Sequence, residues 1–426
     1  MSSFLSGIAA YNHDIKFFLI YNLLANVGIG VFMLLFNLYL RELDYREDFI
    51  GEFQAISTLA MAGVSLTMGF LINRIGVWKS VFFGLILFLA TSILACLITD
   101  PIVLRVFAAF SGAGTAFLFV PTMPFIVDLT KRQERHGVAA LAFSLQSLSM
   151  TVGSLIGGWM PGLIGTVFEV DTPSVIAYRY TLIAGISVAA LAVFPLLSMT
   201  RERRTAVPQD SDASASDAQD IERKPAIVRQ RVMVFVAVGG IMSLGAGAVF
   251  PFYNVYLESL DFTAGQIGLV YSAAGLMAAG LGLLSPYAAR RLGSVRAVVL
   301  IRLAPVPFYF LLMATPFGPI AVMAHMLRNT SINMAWPIDS TYVSEILPAK
   351  ARASVFSYRS GAWNLGWALS SWITGQLIVR YGYNVSFAAY SFFMILAMSL
   401  YYVYFATIGH GEPAPSVDSA EPAAAT

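Results

Sequence analysis

The side chains able to do chemistry in this chain are few, and they interrupt long apolar runs where charge is expensive. They are Asp339, Arg359, Arg328 and Arg105. Asp339 is the acid set deepest inside such a run. Arg328 precedes it by eleven residues, close to three helical turns. The two therefore share a helix face about 16 Å apart and cannot bond each other. Arg359, in the next run, stands as far from its charged flank as Asp339 does from its own, so Asp339 and Arg359 are expected to face each other. Such a pair is either protonatable and linked to the movement of a proton or solute, or a fixed bridge that never titrates. Arg105 lies early in its run. It either answers to a proton or anion in a cavity, the reading favoured here, or snorkels to headgroups.

Uncharged polar and aromatic groups accompany these charges. Asn22 and Asn26 are spaced i, i+4, and Asn329 and Asn333 repeat the spacing beside Arg328. Gln146, Tyr271, Tyr358 and Asn364 add hydrogen-bonding groups. Trp336, Trp363, Trp367 and Trp372 fall in two adjacent runs. Together they describe a cavity with aromatic walls, amides and one or two cations, suited to an apolar or anionic organic molecule. The competing reading of each Trp is helix packing or an interfacial anchor.

The elements that must position these residues are membrane helices. Of the 426 residues, 58% are hydrophobic and 12% charged, against roughly 25% charged in a soluble domain. Splitting at charged turns gives twelve spans, near 16–40, 48–71, 77–98, 102–128, 138–165, 178–198, 232–257, 265–288, 296–315, 318–345, 353–378 and 384–407. Residues 1–199 and 232–408 thus form two six-helix units. Residues 200–231 read as a disordered cytoplasmic linker and 409–426 as a disordered tail. The first span is too long for a cleavable signal and is expected to stay. Of the 26 Lys and Arg residues, eighteen fall on the side of the termini and linker, four on the other side and four within spans. That bias places both termini in the cytoplasm. The net charge of +2 points to no nucleic acid, and the single cysteine, Cys96, supports neither a disulfide framework nor a zinc site. No phosphate-binding Gly-rich loop or metalloprotease motif is present, so no cofactor, metal or enzymatic activity is expected.

The two units repeat at a constant offset of 217 residues. Gly28 and Gly30 match Gly245 and Gly247, Asn37 and Tyr39 match Asn254 and Tyr256, Gly51 matches Gly268, and Gly158 matches Gly375. The basic turn Gly69–Lys79 likewise echoes in Pro286–Arg296, with Arg74 and Gly76 answered by Arg291 and Gly293. Asp128 ends span four where Glu345 ends span ten. Two ion pairs, Arg74–Asp128 and Arg291–Glu345, are therefore expected to latch the cytoplasmic face. Anionic lipid is the competing partner for these charges.

Twelve spans in a 6+6 arrangement, with Gly69, Arg74, Gly76 and Lys79 after span two, resemble the major facilitator superfamily. Asn73 stands where that family usually has Asp. The stretch from Asp128 to Arg135 is similar to the family's acidic residue followed by a basic loop. Gly153, Gly157 and Gly158 form a partial version of the span-five motif of its antiporters. The resemblance implies an all-α fold of two pseudo-symmetric six-helix bundles with a transport site between them near mid-membrane. It also implies a monomeric secondary transporter of a small organic solute in the plasma membrane, with protons as coupling ion. Proton-driven export is the expected direction. Proton-coupled uptake of a sugar-like or organic-acid solute is the alternative, and a non-transporting membrane sensor of the same fold a more distant one.

Overall fold

The computed structural model describes residues 11–130, 134–200 and 225–408. The expected linker, apart from its last residues, and the expected tail lie outside them. Among the described residues every regular element is helical. The first bundle comprises α1 (His13–Glu42), α2 (Glu47–Ile75), α3 (Val77–Leu97), α4 (Pro101–Phe119, continued by Thr122–Leu129), α5 (Arg135–Phe168) and α6 (Val175–Leu191 with Val193–Leu197). In the second, α7 runs Pro225–Val249, passes through a 3-10 turn at Phe250–Phe252 and resumes at Tyr253–Glu258. It is followed by α8 (Ala264–Gly282 and Ser285–Leu292), α9 (Ser294–Leu303 and Val306–Ala314), α10 (Gly318–Ile346), α11 (Ala349–Tyr381) and α12 (Asn384–Tyr402, running on as Val403–Ile408).

Ten of these helices are long and apolar enough to cross a membrane. The other two, α10 and α11, carry Arg328, Asp339 and Arg359, and those charges lower their hydropathy although both are long enough to span. The start of α7 differs from the expectation. The helix begins at Pro225 rather than 232, because polar residues continue a helix beyond its apolar stretch. Arg231 there donates to the Ile346 carbonyl at 3.0 Å.

Local chemistry sets the ends. Asn12 caps α1, Asp100 caps α4 through the amides of Ile102 and Val103, and Thr263 with Gln266 forms a capping box on α8. The repeated basic turns are sharp because Gly76 and Gly293 adopt φ of 88° and 78°, where a side chain would be strained. We call the end carrying these turns the basic end, and the opposite one the far end.

The bundles join around a pseudo-two-fold axis. Asn37 donates to the Pro251 carbonyl at 2.6 Å, and Asn254 donates to the Leu34 carbonyl at 2.7 Å. Each bond is the other's image at the 217-residue offset. The helix pairs α2–α11 and α5–α8 obey the same symmetry. A Cβ on Gly51 would meet the Ser371 carbonyl, and one on Gly268 the Ser154 carbonyl. A Cβ on Gly375 would meet the Glu47 carbonyl, and one on Gly158 that of Ala264. Glycine at these places lets backbones touch, as small residues do throughout membrane interfaces.

Hydrogen bonds reinforce the far end. Tyr383 donates to Glu47 at 2.7 Å, Tyr178 to Glu258 at 3.3 Å, and Arg46 to the Val379 carbonyl at 3.3 Å. Glu47 also pairs with Arg41 at 3.3 Å. Burial first, and then the Glu47 carboxylate, hold the Tyr383 phenol well above its ordinary pKa, so it stays a donor. Toward the basic end the bundles part. The segments Thr122–Leu129 and Ser285–Leu292 pack within their own bundles. The sites a Cβ would take on Gly63, Gly69, Gly280, Gly282 and Gly361 have no atom within 4 Å. The result is a cleft open at the basic end and sealed at the far end.

Replacing Gly51 or Gly268 by Val is expected to overpack the far-end seam at a cost of about 1–3 kcal/mol and to shift the protein toward a far-open state. A cysteine placed at Asp48, with Cys96 changed to Ala, should then react faster with a maleimide in purified protein. Gly63→Val, set in open space, should leave that rate unchanged.

Candidate functional site

Among the described residues, the one buried acid of the second bundle meets its partner. Arg359 Nη2 lies 2.5 Å from Asp339 Oδ2, with side chains 7% and 2% exposed. Tyr401 donates to Asp339 Oδ1 at 3.1 Å, and the Trp336 ring lies 5.6 Å from the Arg359 guanidinium. Helices α10 and α11 leave a short turn at Leu347 and Pro348 at matched depth, and this brings the two residues level. An ion pair out of water is held by its mutual attraction, so a change in charge on either member undoes it.

Arg328 occupies a separate site. It is 1% exposed and stacks against Phe250 at 4.1 Å and Tyr253 at 4.7 Å. Its Nη2 donates to His325 Nδ1 at 3.0 Å, which requires that ring nitrogen to carry no proton. His325 stacks in turn on Tyr253 and meets Tyr271 at a tilt. Trp363 and Trp367 meet at a tilt with ring centroids 6.2 Å apart, and Trp367 continues to Phe250. Arg328 and Asp339 do not pair, as their spacing implies.

The first bundle offers polarity without charge. Asn22, Asn26 and Gln146 line a small cleft with Phe18, Tyr21, Phe119 and Thr122. Asn26 donates to both the carbonyl and the side chain of Asn22. In the second bundle, Asn333 donates to the Asn329 carbonyl one turn away, and Asn364 is half-buried. Trp336 and Tyr358 are exposed.

Two expectations change. Arg105 forms a two-point ion pair with Glu52, at 2.8 and 2.9 Å, near the far end and beside Phe49. Its charge is thus answered by an acid on α2 near the far end. The expected latch is not formed either. Among the described residues no ion pair joins Arg74 to Asp128 or Arg291 to Glu345. Arg74, Arg291 and Glu345 are exposed, as are Gly69, Asn73, Gly76 and Lys79, and Arg291 lies over the Tyr287 ring. This fits an open basic end. Sequence reasoning had no role for Glu52, Tyr401, Phe250 or the reciprocal Asn37 and Asn254. Only the asparagines carried a signal, the 217-residue repeat, and Pro251 marked the break in α7.

The two members of the buried pair differ in what they leave behind. Asp339→Asn strands a guanidinium that cannot lose its charge, at a cost of about 3–5 kcal/mol. Arg359→Leu leaves a carboxyl that can take up a proton and should be milder. The double variant should recover part of the Asp339→Asn loss. Thermal unfolding of the three variants in detergent checks this order.

Comparison with known proteins agrees with this geometry. The Multidrug resistance protein MdtH of Yersinia pestis (strain Pestoides F) is 25% identical over 147 residues, which is 34% of this chain and 37% of that protein. The match thus spans just over a third of that relative's length. The solved nucleoside transporter NupG superposes with a TM-score of 0.68 at 16% identity, over 92% of this chain and 98% of that one. A D-xylose-proton symporter gives 0.68 at 14% identity, over 92% and 95%. The Major Facilitator Superfamily profile matches residues 18–332. With that match, two six-helix bundles about a pseudo-two-fold axis and a cleft between them, this multi-pass membrane protein belongs to the Major Facilitator Superfamily of transporters.

Proposed function

We propose that this chain is a proton-coupled secondary transporter that exports a small organic solute across the plasma membrane by alternating access. The observation that carries the reading is the Asp339–Arg359 pair, buried beside Tyr401 in an apolar bundle whose neighbouring cleft opens at one end. The excess of Lys and Arg at the basic end favours a cytoplasmic position for it, which makes the described state inward-facing.

The coupling follows from charge. With Asp339 ionised, Arg359 is held and α10 and α11 are tied together. A proton taken up from outside neutralises the carboxyl, so the attraction falls and the guanidinium turns away. Release of that proton to the cytoplasm in the inward-open state restores the pair, and the solute taken up there leaves on the opposite side after the protein has switched. The relative whose printed name is a multidrug resistance protein supports export. A structural neighbour described as a D-xylose-proton symporter keeps proton-coupled uptake as the second reading.

Proteoliposome flux across a solute panel, with and without an imposed pH gradient, tests this. The solute should move against the proton flow. Asp339→Asn should retain exchange without a gradient and lose most gradient-driven flux. Unchanged gradient-driven flux in that variant would remove the coupling role, and flux in step with protons would reverse the direction.

The latch charges are proposed to pair only when the basic end closes. Single charge reversals at Arg74 and Asp128 should then each cut transport, and the double reversal should restore part of it. Failure of the double reversal to restore any flux would count against the Arg74–Asp128 contact.

A further inference from the structure

Buried charge in the second bundle does not balance. Among the described residues, the arginines and acids buried to within a tenth of full exposure are Glu47, Arg302, Arg328, Asp339 and Arg359. Glu47 lies at the far end and is paired with Arg41. Asp339 answers Arg359, and Arg302 shares the field of that pair. Arg328 has no carboxylate. An arginine keeps its charge at any working pH, and an isolated charge out of water is costly.

Its donors are also unfilled. Arg328 Nε and Nη1 are buried without a well-formed hydrogen bond, and so is the Tyr309 hydroxyl. Nη2 reaches His325, and the Tyr271 and Tyr309 hydroxyls face the guanidinium without supplying a negative charge. The ring against the guanidinium, Phe250, is only partly buried and belongs to the 3-10 turn that breaks α7. Pro251 in that turn accepts the bond from Asn37 of the other bundle. Broken helices of this kind gather irregular backbone around binding sites in transporters.

We infer that Arg328 is the anchor for the carboxylate of an aromatic organic anion, with Phe250, Tyr253 and Trp367 against its apolar body. The inference rests on the transport reading and names its substrate class. The one positive charge at this site, set apart from Arg302 and the Asp339–Arg359 pair, suits a monoanion, and a guanidinium grips an oxyanion through charge-assisted bonds. The aromatic surround adds stacking area, whereas a small doubly charged ion would lose its hydration for little contact. The anion would displace Phe250 from the guanidinium. Through Pro251 and Asn37, that displacement would reach the axis on which the bundles turn.

The test uses the purified full chain in detergent with benzoate, its neutral isostere benzamide, and inorganic phosphate as probes. Tryptophan emission reads binding, since Trp367 lies 5.2 Å from Phe250. Benzoate should bind saturably and at least about tenfold more tightly than benzamide, while phosphate should not displace it. Arg328→Lys should weaken benzoate about tenfold by replacing the fork with a point charge, and Arg328→Met should abolish binding. Arg328→Lys retains charge and size and carries the test if Arg328→Met does not fold. No benzoate binding, equal binding of benzamide, displacement by phosphate, or wild-type affinity in either variant would overturn the assignment. Intact benzoate binding by the unsubstituted chain beside an absence of gradient-driven flux in that same chain would sink the coupling reading alone.

Discussion

A polar side chain in a membrane interior must find a partner, because hydrocarbon supplies none. Asn37 and Asn254 meet that demand by reaching across to each other's bundle, each ending on a backbone carbonyl of the opposite helix. Neither bond survives if α1 or α7 shifts alone, so the two bundles can rock about this point but not slide past it. The close glycine seams of α2–α11 and α5–α8 sit to the far side of it. The described cleft sits to the other side. Which end of the protein is open is therefore a matter of tilt about one pair of amides.

The frame is symmetric and the chemistry is not. At the 217-residue offset, Asp339 answers Thr122, Arg359 answers Ala142, Arg328 answers Ser111 and Arg302 answers Leu85. Every charge of the second bundle's interior thus stands opposite a neutral residue in the first. The first bundle keeps amides instead, in the cleft of Asn22, Asn26 and Gln146. Concentrating charge in one bundle spares the middle of the other its desolvation penalties, Glu47 at the far end apart. It would also let the proposed proton chemistry proceed without breaking the contacts that hold the bundles together.

The fold was largely legible because its signals are long-range and repetitive. Apolar runs, a basic bias and a 217-residue register each survive without knowledge of any contact. The Asp339–Arg359 contact was legible for a simpler reason: two adjacent helices leave one short turn, and equal depth then implies proximity. Arg105 misled because its partner Glu52 lies at the start of a span and looked like an end charge. The gate charges misled differently, since their pairing depends on tilt and a sequence carries no tilt. The aromatic enclosure of Arg328 draws on α7, α8, α10 and α11. No spacing rule links residues on four helices, and only Pro251 hinted that α7 is interrupted there.

The position of Arg359 on α11 bears on how a proton could move a bundle. The same helix carries Ser371 and Gly375, whose backbones close the far seam against Gly51 and Glu47. Twelve to sixteen residues separate Arg359 from these points, about 18–24 Å of helix. A helix of that length tilts as a rod. The far seam itself is modest in strength: van der Waals contact between backbones plus a few hydrogen bonds, each contributing about 0.5–1.5 kcal/mol, or up to about 3 where a carboxylate accepts. A buried ion pair is of the same order, a few kcal/mol to break from one side. Matching magnitudes are what a switch requires, because a coupling group much weaker than the seam could not open it and one much stronger would hold a single state. The Asp339–Arg359 pair, set within one bundle and joined by α11 to the seam between two, has both the strength and the lever arm to bias which end is open.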